Sequence, residues 1–156
     1  MSDEFPTSAA DIAWNVRNNL TSAADVLERH LSTIDDREGD IHAFNLVLAD
    51  EARTRAAEID DAVSVGRDPG PLAGVPIAVK DVMATSGLPT TCGSKILQGW
   101  VPPYDATLVT RLREAGIQVV LGTTPDLGTI PPFRPPLRWV AHEWSRSLAA
   151  AQAVAR

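Results

Sequence analysis

The feature that most constrains the fold is a run of nine residues, Gly-Val-Pro-Ile-Ala-Val-Lys-Asp-Val, at positions 74–82. Its first six residues are apolar or small and rich in β-branched side chains, and a charged pair, Lys80 and Asp81, follows them. Such a run is typical of a strand that is buried on both faces, because neither face then meets water. Pro76 has no backbone N–H and restricts strand pairing near the start of the run. The run therefore predicts a buried strand with Lys80 at the edge of its sheet.

Three amphipathic patterns precede this run, and each predicts a helix. The first begins at Ser8, in a Ser-Ala-Ala-Asp sequence that resembles a capping box, and ends at Asn18. The second begins with the same sequence at Ser22 and is predicted to close before Asp35, and the third ends at Gly66. Apolar residues recur in each at the spacing of one helix face. These stripes are Ile12, Val16 and Leu20; Ala23, Leu27, Leu31 and Ile34; and Ala52, Ala56, Ile59 and Val63.

Strand patterns alternate with the helices. Residues 42–48, His-Ala-Phe-Asn-Leu-Val-Leu, form a short apolar run that predicts a buried strand between the second and third helices. After a polar loop rich in Gly, Thr and Pro, Asp105 is the predicted N-cap of a fourth helix that ends at Gly116. Residues 117–121 then predict another strand. Alternating strands and helices favour a three-layer α/β arrangement.

Composition argues against several classes of function. Fourteen Lys and Arg against 20 Asp and Glu give a formal charge of -6, and phosphate affinity requires clustered cations, so direct nucleic-acid binding is not expected. The single cysteine, Cys92, cannot form an internal disulfide, and the three histidines have no zinc-ligand spacing. No apolar run approaches the roughly 20 residues of a membrane span. Asp3 and Glu4 stand where a secretory signal would carry basic residues. We therefore expect a cytoplasmic protein without a metal site or a membrane contact.

Three motifs in a fixed order indicate a family. They are Gly-Pro-Leu-Ala-Gly-Val-Pro-Ile-Ala-Val-Lys-Asp at 70–81, Leu-Pro-Thr-Thr-Cys-Gly-Ser-Lys-Ile-Leu at 88–97, and Pro-Tyr-Asp-Ala-Thr-Leu-Val-Thr-Arg-Leu-Arg-Glu-Ala-Gly at 103–116. Together they resemble the amidase-signature family. The second and third are most similar to the A subunits of the amidotransferases that act on glutamyl-tRNA(Gln) or aspartyl-tRNA(Asn). The resemblance covers residues 8–129. It implies an α/β fold, the N-terminal portion of a mixed sheet covered by helices, in incomplete form.

Lys80 matches the lysine of that family. The resemblance implies that this lysine works with two serines, one preceded by a cis peptide bond and one acting as the nucleophile. An amine must be neutral to accept a proton, and burial disfavours the ammonium form. We therefore expect Lys80 to lie buried beneath neighbouring loops. Without the resemblance, a lysine before an aspartate at a strand end is usually a solvated pair, and that interpretation of Lys80 and Asp81 stays open.

The two serine partners of this lysine have no counterpart in the sequence. The family's Gly-Ser-rich segment is expected downstream, yet residues 122–128 are only a drifted form of the Gly-Lys-Thr-Asn segment that the family usually carries there. Ser145 and Ser147 lie near arginines, without glycines, and neither is a predicted nucleophile. We therefore divide the chain into an amidase-signature part, 1–129, and an unrelated tail, 130–156, expected to be disordered or produced by a frameshift.

Three hypotheses about function follow from these features. The first is a truncated relative of the glutamine-hydrolysing subunit in tRNA-dependent transamidation, inactive alone and associated with the other amidotransferase subunits. The second is a non-catalytic module that binds a partner, and the third is a general hydrolase of small amides. No cofactor is expected, since neither G-x-G-x-x-G nor G-x-x-x-x-G-K occurs. The resemblance implies that ATP is used only by the full amidotransferase complex.

Other polar residues are weaker candidates for a role. No histidine is placed by a motif to activate Cys92, so a buried or loop cysteine is favoured over a thiol nucleophile. His30 lies beside the apolar stripe of the second helix, where a helix-surface or partly packed histidine is the preferred interpretation. Thr90, Thr91 and Ser94 are candidates for the mouth of the site, and a hydrogen-bonded loop is the alternative.

Overall fold

The computed structural model describes residues 8–119 of the 156-residue chain. In chain order, this part contains α1 (Ala9–Arg17), α2 (Ala23–Ile41), α3 (Ala49–Ser64), β1 (Pro76–Ile77), a 3₁₀ helix (Lys95–Leu97), α4 (Thr107–Glu114) and β2 (Gln118–Val119). None of the helices in this part is both long enough and apolar enough to cross a bilayer. The interpretation of residues 130–156 as an unrelated tail lies outside the described residues.

Serine caps start the first two helices, as predicted. Ser8 Oγ accepts a hydrogen bond from the Asp11 N–H at 3.1 Å, and Ser22 Oγ accepts one from the Asp25 N–H at 2.9 Å. Each contact satisfies an N–H group that the first turn of a helix leaves unpaired. The same four-residue sequence therefore begins α1 and α2 in the same way. Asn18 is the C-cap of α1, which confirms the predicted end of that helix.

The second helix is longer than predicted. It continues past Asp35 and Gly39 to Ile41, and it ends where His42 adopts a left-handed φ of 52°. The His42 N–H donates to the Glu38 C=O at 2.9 Å. The predicted boundary was wrong because one glycine costs a helix only about 1 kcal/mol and exposed charges cost little. The residue that ends the helix is the one that takes the left-handed conformation.

The strand predicted at residues 42–48 is wrong. This segment connects α2 to α3: the Phe44 N–H donates to Glu38 Oε1 at 2.8 Å, and Leu48 is the N-cap position of α3. Its apolar side chains are only partly buried, and Val47 and Leu48 pack against the hydrophobic clusters without joining a sheet. A short apolar run cannot by itself distinguish a strand from a packed connection.

The fourth helix ends as predicted but has a different N-cap. Ala106, not Asp105, occupies the N-cap position. The Asp105 carboxylate accepts a hydrogen bond from the Ser86 N–H at 2.7 Å and lies 3.5 Å from the Arg113 guanidinium. The prediction was wrong because contacts with a distant loop and with the far end of the helix take the place of a local cap. Gly116, with φ +83°, follows the end of α4.

The two strands pair in parallel. Pro76 lies opposite Gln118 and Ile77 opposite Val119. Because α4 lies between the strands in sequence, residues 76–119 form a βαβ unit, and the α/β prediction is confirmed. The strand predicted over 74–82 was too long, since within the described residues only Pro76–Ile77 is strand in that run. The strand predicted at 117–121 corresponds to β2, and residues 120 and 121 lie outside the described part.

The main core lies between the three N-terminal helices and the strands. Val16, Leu27 and Ile59 are almost completely buried there, one each from α1, α2 and α3. Burial of a side chain of this size contributes about 1.5–3 kcal/mol to the stability of the fold. The buried members of the core are Ile12, Ala13, Val16, Ala23, Val26, Leu27, Leu31, Ala52, Ala56, Ile59, Ala73, Val75, Leu112 and Ile117.

A second, smaller cluster lies beside Lys80. Val79 and Val109 are its buried members, at 3% and 0% exposure. Partly buried Leu48, Ile77, Met83, Leu88 and Ala106 pack around them. Because Val79 precedes Lys80 directly, this cluster anchors the chain at the residue that the sequence singles out.

Candidate functional site

Lys80 lies at a sharp turn of the chain. On one side, Val79 is buried against Val109 of α4. On the other side, the Lys80 C=O accepts hydrogen bonds from the N–H groups of Val82 at 2.8 Å and Met83 at 2.9 Å. The main chain at Lys80 is therefore held by apolar packing before it and by a hydrogen-bonded turn after it.

A small recess, called here the Lys80 recess, lies beside this turn. Its volume is about 10 Å³, enough for about one water molecule. Its lining combines apolar side chains with the Lys-Asp pair and two threonines: Leu46, Lys80, Asp81, Met83, Thr85, Leu88, Pro89 and Thr90.

Part of the lining comes from residues 84–90, which face residues 100–106 in antiparallel fashion. Three N–H to C=O hydrogen bonds join them: Ala106 to Ala84 at 2.7 Å, Gly87 to Pro102 at 3.0 Å and Thr90 to Trp100 at 3.0 Å. Thr85 and Thr90 are buried between their neighbours, at 2% and 3% exposure. The sequence predicted only a polar loop here. Turn-forming residues dominate both segments, and they give no local sign that the two segments pair with each other.

Asp81 is buried, with 5% of its surface exposed, and its partner is Thr91. Asp81 Oδ1 accepts a hydrogen bond from the Thr91 N–H at 2.6 Å, and Asp81 Oδ2 accepts one from the Thr91 hydroxyl. The Asp81 C=O accepts a third from the Cys92 N–H at 2.8 Å. A buried carboxylate is costly unless donors satisfy it, and these neutral donors do so. The interpretation of Lys80 and Asp81 as a solvated pair is therefore wrong for Asp81.

No local motif gives Asp81 its role, and the sequence interpretation missed it. The partner stands ten residues further along the chain, in a segment whose conformation the sequence did not predict. The only available signal was a charged residue inside an otherwise apolar run, because such a residue is either at the surface or paired.

Lys80 itself is exposed, so the burial expected from the family chemistry is wrong for the described part of the chain. The reason is geometric: β1 ends at Ile77, and the turn at Lys80 follows instead of a longer strand beneath loops. Within residues 8–119, none of the five ion pairs includes Lys80.

The weaker candidates have structural roles. His30 is half-buried on α2, and its Nδ1 lies 2.7 Å from the Val26 C=O, which confirms the interpretation of a helix-surface or partly packed histidine. Cys92 is a free, exposed loop cysteine with φ +51°. Ser94 Oγ accepts a hydrogen bond from the Ile96 N–H at 3.2 Å and caps the 3₁₀ helix. In the described residues, no group of three or more His, Cys, Asp or Glu side chains could hold a metal ion.

Comparisons with known proteins decide the family. A family model described as Amidase matches residues 25–127. The chain belongs to the amidase family. The A subunit of the glutamyl-tRNA(Gln) amidotransferase of Acidothermus cellulolyticus is 49% identical over 124 residues, which cover 80% of this chain and 24% of that protein. The corresponding protein of Nocardia farcinica is 44% identical over 127 residues, 81% of this chain and 26% of that protein. The chain thus spans about a quarter of the length of these curated relatives.

Solved structures of amidases share the fold of the chain. An inhibitor-bound complex described as revealing the evolutionary origins of an s-triazine catabolic enzyme matches with a TM-score of 0.73 and 36% identity, over 77% of this chain and 26% of that one. The native peptide amidase of Stenotrophomonas maltophilia matches with a TM-score of 0.67 and 33% identity, over 76% of this chain and 24% of that one. A bacterial aryl acylamidase of the amidase-signature family matches with a TM-score of 0.70 and 27% identity, over 76% of this chain and 25% of that one. The fold is therefore the predicted N-terminal portion of the amidase-signature fold.

Proposed function

We propose that this chain is the lysine-bearing segment of an amidotransferase A-type protein that hydrolyses glutamine for tRNA-dependent transamidation. The observation that carries the proposal is its 49% and 44% identity to the A subunits of two glutamyl-tRNA(Gln) amidotransferases. The sequence identity is only 33% to the peptide amidase and 27% to the aryl acylamidase. These values favour the tRNA-linked enzymes over the general hydrolases of small amides as relatives in function.

Lys80 takes the place of the family's lysine in this proposal. It is the penultimate residue of the motif at residues 70–81, it lines the Lys80 recess, and the turn that it begins fixes its main chain. In the complete site, its amine would accept a proton when the serine nucleophile attacks the amide carbonyl. This role follows the family resemblance and requires the two serines that the family supplies from elsewhere.

The chain is proposed to be inactive towards glutamine on its own. Among the described residues, the Lys80 recess contains no serine or cysteine, and its Thr85 hydroxyl already donates to the Met83 C=O at 3.2 Å. The sequence also has no Gly-Ser-rich segment to supply N–H groups to an oxyanion. A nucleophile and an oxyanion site are both needed for acyl transfer.

Glutamine hydrolysis by the purified chain tests this inactivity. Glutamate release is measured for the wild-type chain, for Lys80→Ala and for Lys95→Ala, the last being a matched control because Lys80 and Lys95 are the two lysines of the sequence. We expect all three rates to equal that of buffer. Turnover that Lys80→Ala abolishes and Lys95→Ala retains would contradict the proposal. The same dependence with small amides, but not with glutamine, would favour a general hydrolase.

A role as a partner-binding module is the second candidate function. Large apolar side chains exposed on loops favour it: Ile96 is 93% exposed, Tyr104 58% and Val82 53%. Exposed apolar groups are common where a protein binds another chain. Co-purification with the other amidotransferase subunits tests this role. Ile96→Asp should weaken the association and Gln98→Asp, at an exposed polar position nearby, should not. A chain that binds none of these subunits would exclude it.

A further inference from the structure

Asp81 and Thr91 form one hydrogen-bonded unit. Both carboxylate oxygens of Asp81 are occupied by the N–H and the hydroxyl of Thr91, and the Asp81 C=O is occupied by the Cys92 N–H. Asp81 is 5% exposed, so water cannot readily replace these donors. Asp81 and the loop at residues 91–92 therefore hold each other in place.

This unit is continuous with the turn at Lys80. Asp81 lies inside the turn that the Lys80 C=O closes with the N–H groups of Val82 and Met83. Any displacement of Asp81 would therefore open the hydrogen bonds that fix the main chain of Lys80. Thr91 is thus connected to the main chain of Lys80 through these two sets of contacts.

The loop that carries Thr91 is itself constrained. The Thr91 hydroxyl oxygen also accepts a hydrogen bond from the Gly93 N–H at 3.2 Å, and the Thr91 C=O accepts one from the Ser94 N–H at 2.8 Å. Cys92 has φ +51°, which is unfavourable for a residue with a side chain. Such a conformation persists only where the surroundings hold it, and the Cys92 N–H to Asp81 contact is one such restraint.

The same contacts direct the Asp81 carboxylate away from an ion pair with its neighbour. An aspartate next to a lysine can form an ion pair, and that pair stabilises the ammonium form of the lysine. Both oxygens of Asp81 are instead bound by Thr91, and none of the ion pairs in residues 8–119 includes Lys80 or Asp81. The Asp81 carboxylate thus binds the loop that carries Thr91 and forms no ion pair with Lys80.

We propose that Asp81 and Thr91 are a positioning pair that holds Lys80 at the recess through the main chain. This inference rests on the proposed role of Lys80 as the family's lysine. Neither residue is assigned to the chemistry, because each acts on Lys80 through hydrogen bonds to the backbone. The Thr91 hydroxyl is the group that a single isosteric substitution can remove.

Hydrogen exchange of the intact chain tests whether the pair holds the turn. Thr91→Val removes the hydroxyl at nearly constant volume, Thr91→Ser retains it, and Thr54→Val removes the hydroxyl that bonds the Asp50 C=O on α3. In Thr91→Val, we expect the amides of Val82, Met83 and Cys92 to exchange about tenfold faster or more, because a lost bond to a charged group has roughly that effect. Thr91→Ser and Thr54→Val should leave these rates within about threefold of wild type.

A spectroscopic signal of the lysine tests whether the pair positions Lys80 itself. Reductive ¹³C-methylation keeps the charge of an amine and labels the two lysines of the sequence and the N-terminal amine, so Lys80→Arg and Lys95→Arg assign the two lysine signals. Thr91→Val should shift or broaden the Lys80 signal, and Thr91→Ser should restore it. If Thr91→Val also speeds amide exchange in α2 and α3, the variant has disturbed the whole fold. Thr91→Ala then provides the same measurement without a γ-methyl group that the fold must accommodate.

Two outcomes would overturn the inference. Wild-type exchange at Val82 and Met83 in Thr91→Val would mean that the pair does not hold the turn. Faster exchange at these amides with an unchanged Lys80 signal would mean that the pair holds the turn without positioning the lysine. Lys80→Ala should leave the exchange rates unchanged because the turn uses main-chain atoms, so this test remains decisive even if glutamine assays refute the role of Lys80.

Discussion

At the scale of a single residue, Gly116 determines how the chain can pass from α4 into β2. Its φ is +83°, and a Cβ built there would lie 1.9 Å from the Pro69 oxygen. The Leu72 N–H donates to the Ala115 C=O at 2.9 Å beside it. The segment that leads into β1 thus crosses the end of α4 with no space for a side chain at Gly116.

Substitution of Gly116 by alanine should therefore be strongly destabilising. The new Cβ would meet a left-handed backbone and a main-chain oxygen, and we expect a loss of roughly 2–4 kcal/mol of unfolding free energy. Gly99→Ala is the matched control, since Gly99 has φ +85° and nothing within 4 Å of a built Cβ. It should lose only roughly 1–2 kcal/mol. Equal losses in urea denaturation of the two variants would refute the steric part of the argument.

Which residues the sequence could predict depended on the range of their contacts. The caps at Ser8 and Ser22, which bond residues three positions away, were predicted from local sequence, and a local motif alone singles out Lys80. The burial of Asp81 was not predicted, because its donors come from a loop ten residues away whose left-handed Cys92 no local pattern indicates. Exposure of Lys80 likewise depends on which elements cover it and not on its neighbours in sequence.

At the scale of elements, a carboxylate of α3 caps the N-terminus of α2. Asp60 Oδ1 accepts a hydrogen bond from the Ala23 N–H at 2.7 Å, and its Oδ2 accepts one from the Ala24 N–H at 3.1 Å. The first turn of a helix has unpaired N–H groups and a partial positive charge, so an anion there is stabilising. Asp60 therefore links the two longest described helices at their packed ends.

Removal of this carboxylate should cost more than removal of its neighbour. We expect Asp60→Ala to lower the unfolding free energy by about 1–2 kcal/mol, the range of a lost helix cap. Asp61→Ala removes an exposed carboxylate from the same helix and should change stability by less than about 0.5 kcal/mol. Chemical denaturation of both variants gives the comparison. If Asp61→Ala were as costly as Asp60→Ala, helix charge and not the cap would be responsible.

A second contact between α2 and α3 predicts a dependence on pH. The hydrogen bond from Arg53, at 2.6 Å, lowers the pKa of the Glu28 carboxyl. A lowered folded-state pKa stabilises the fold above the unfolded-state pKa, and this stabilisation is lost as the pH falls below about 4. Glu28→Gln should therefore have a slightly lower Tm than wild type at neutral pH and the same Tm in acid, the effect being small because both groups are exposed. A Tm difference that persists in acid would contradict this origin.

Element boundaries were predicted where they depend on local geometry and missed where tertiary contacts decide. The glycine at the end of α4 and the proline at the start of β1 were read correctly. The segment at 42–48 was not, because apolar residues of a packed connection resemble those of a strand. Asp105 was assigned to a helix cap because nothing in the local sequence indicates that Ser86 would bind it.

At the scale of the whole molecule, the described residues form the N-terminal portion of the amidase-signature fold and support the turn that carries Lys80. A βαβ unit and three packed helices support the Lys80 turn, and the matched part corresponds to about a quarter of the curated relatives. The family serines were expected from the resemblance and have no counterpart in the sequence. The α/β fold and the family could thus be predicted from motifs, whereas the arrangement around Lys80 required the three-dimensional contacts.

The measurement that tests the central claim most directly is glutamine hydrolysis by a chimera. In it, the matched residues of this chain replace their counterparts in the Acidothermus cellulolyticus amidotransferase protein to which they are 49% identical. If Lys80 takes the position of the family's lysine, the chimera hydrolyses glutamine, and Lys80→Ala lowers the rate by about 10²–10⁴-fold while Lys95→Ala leaves it unchanged. Turnover that survives Lys80→Ala would contradict the assignment of Lys80.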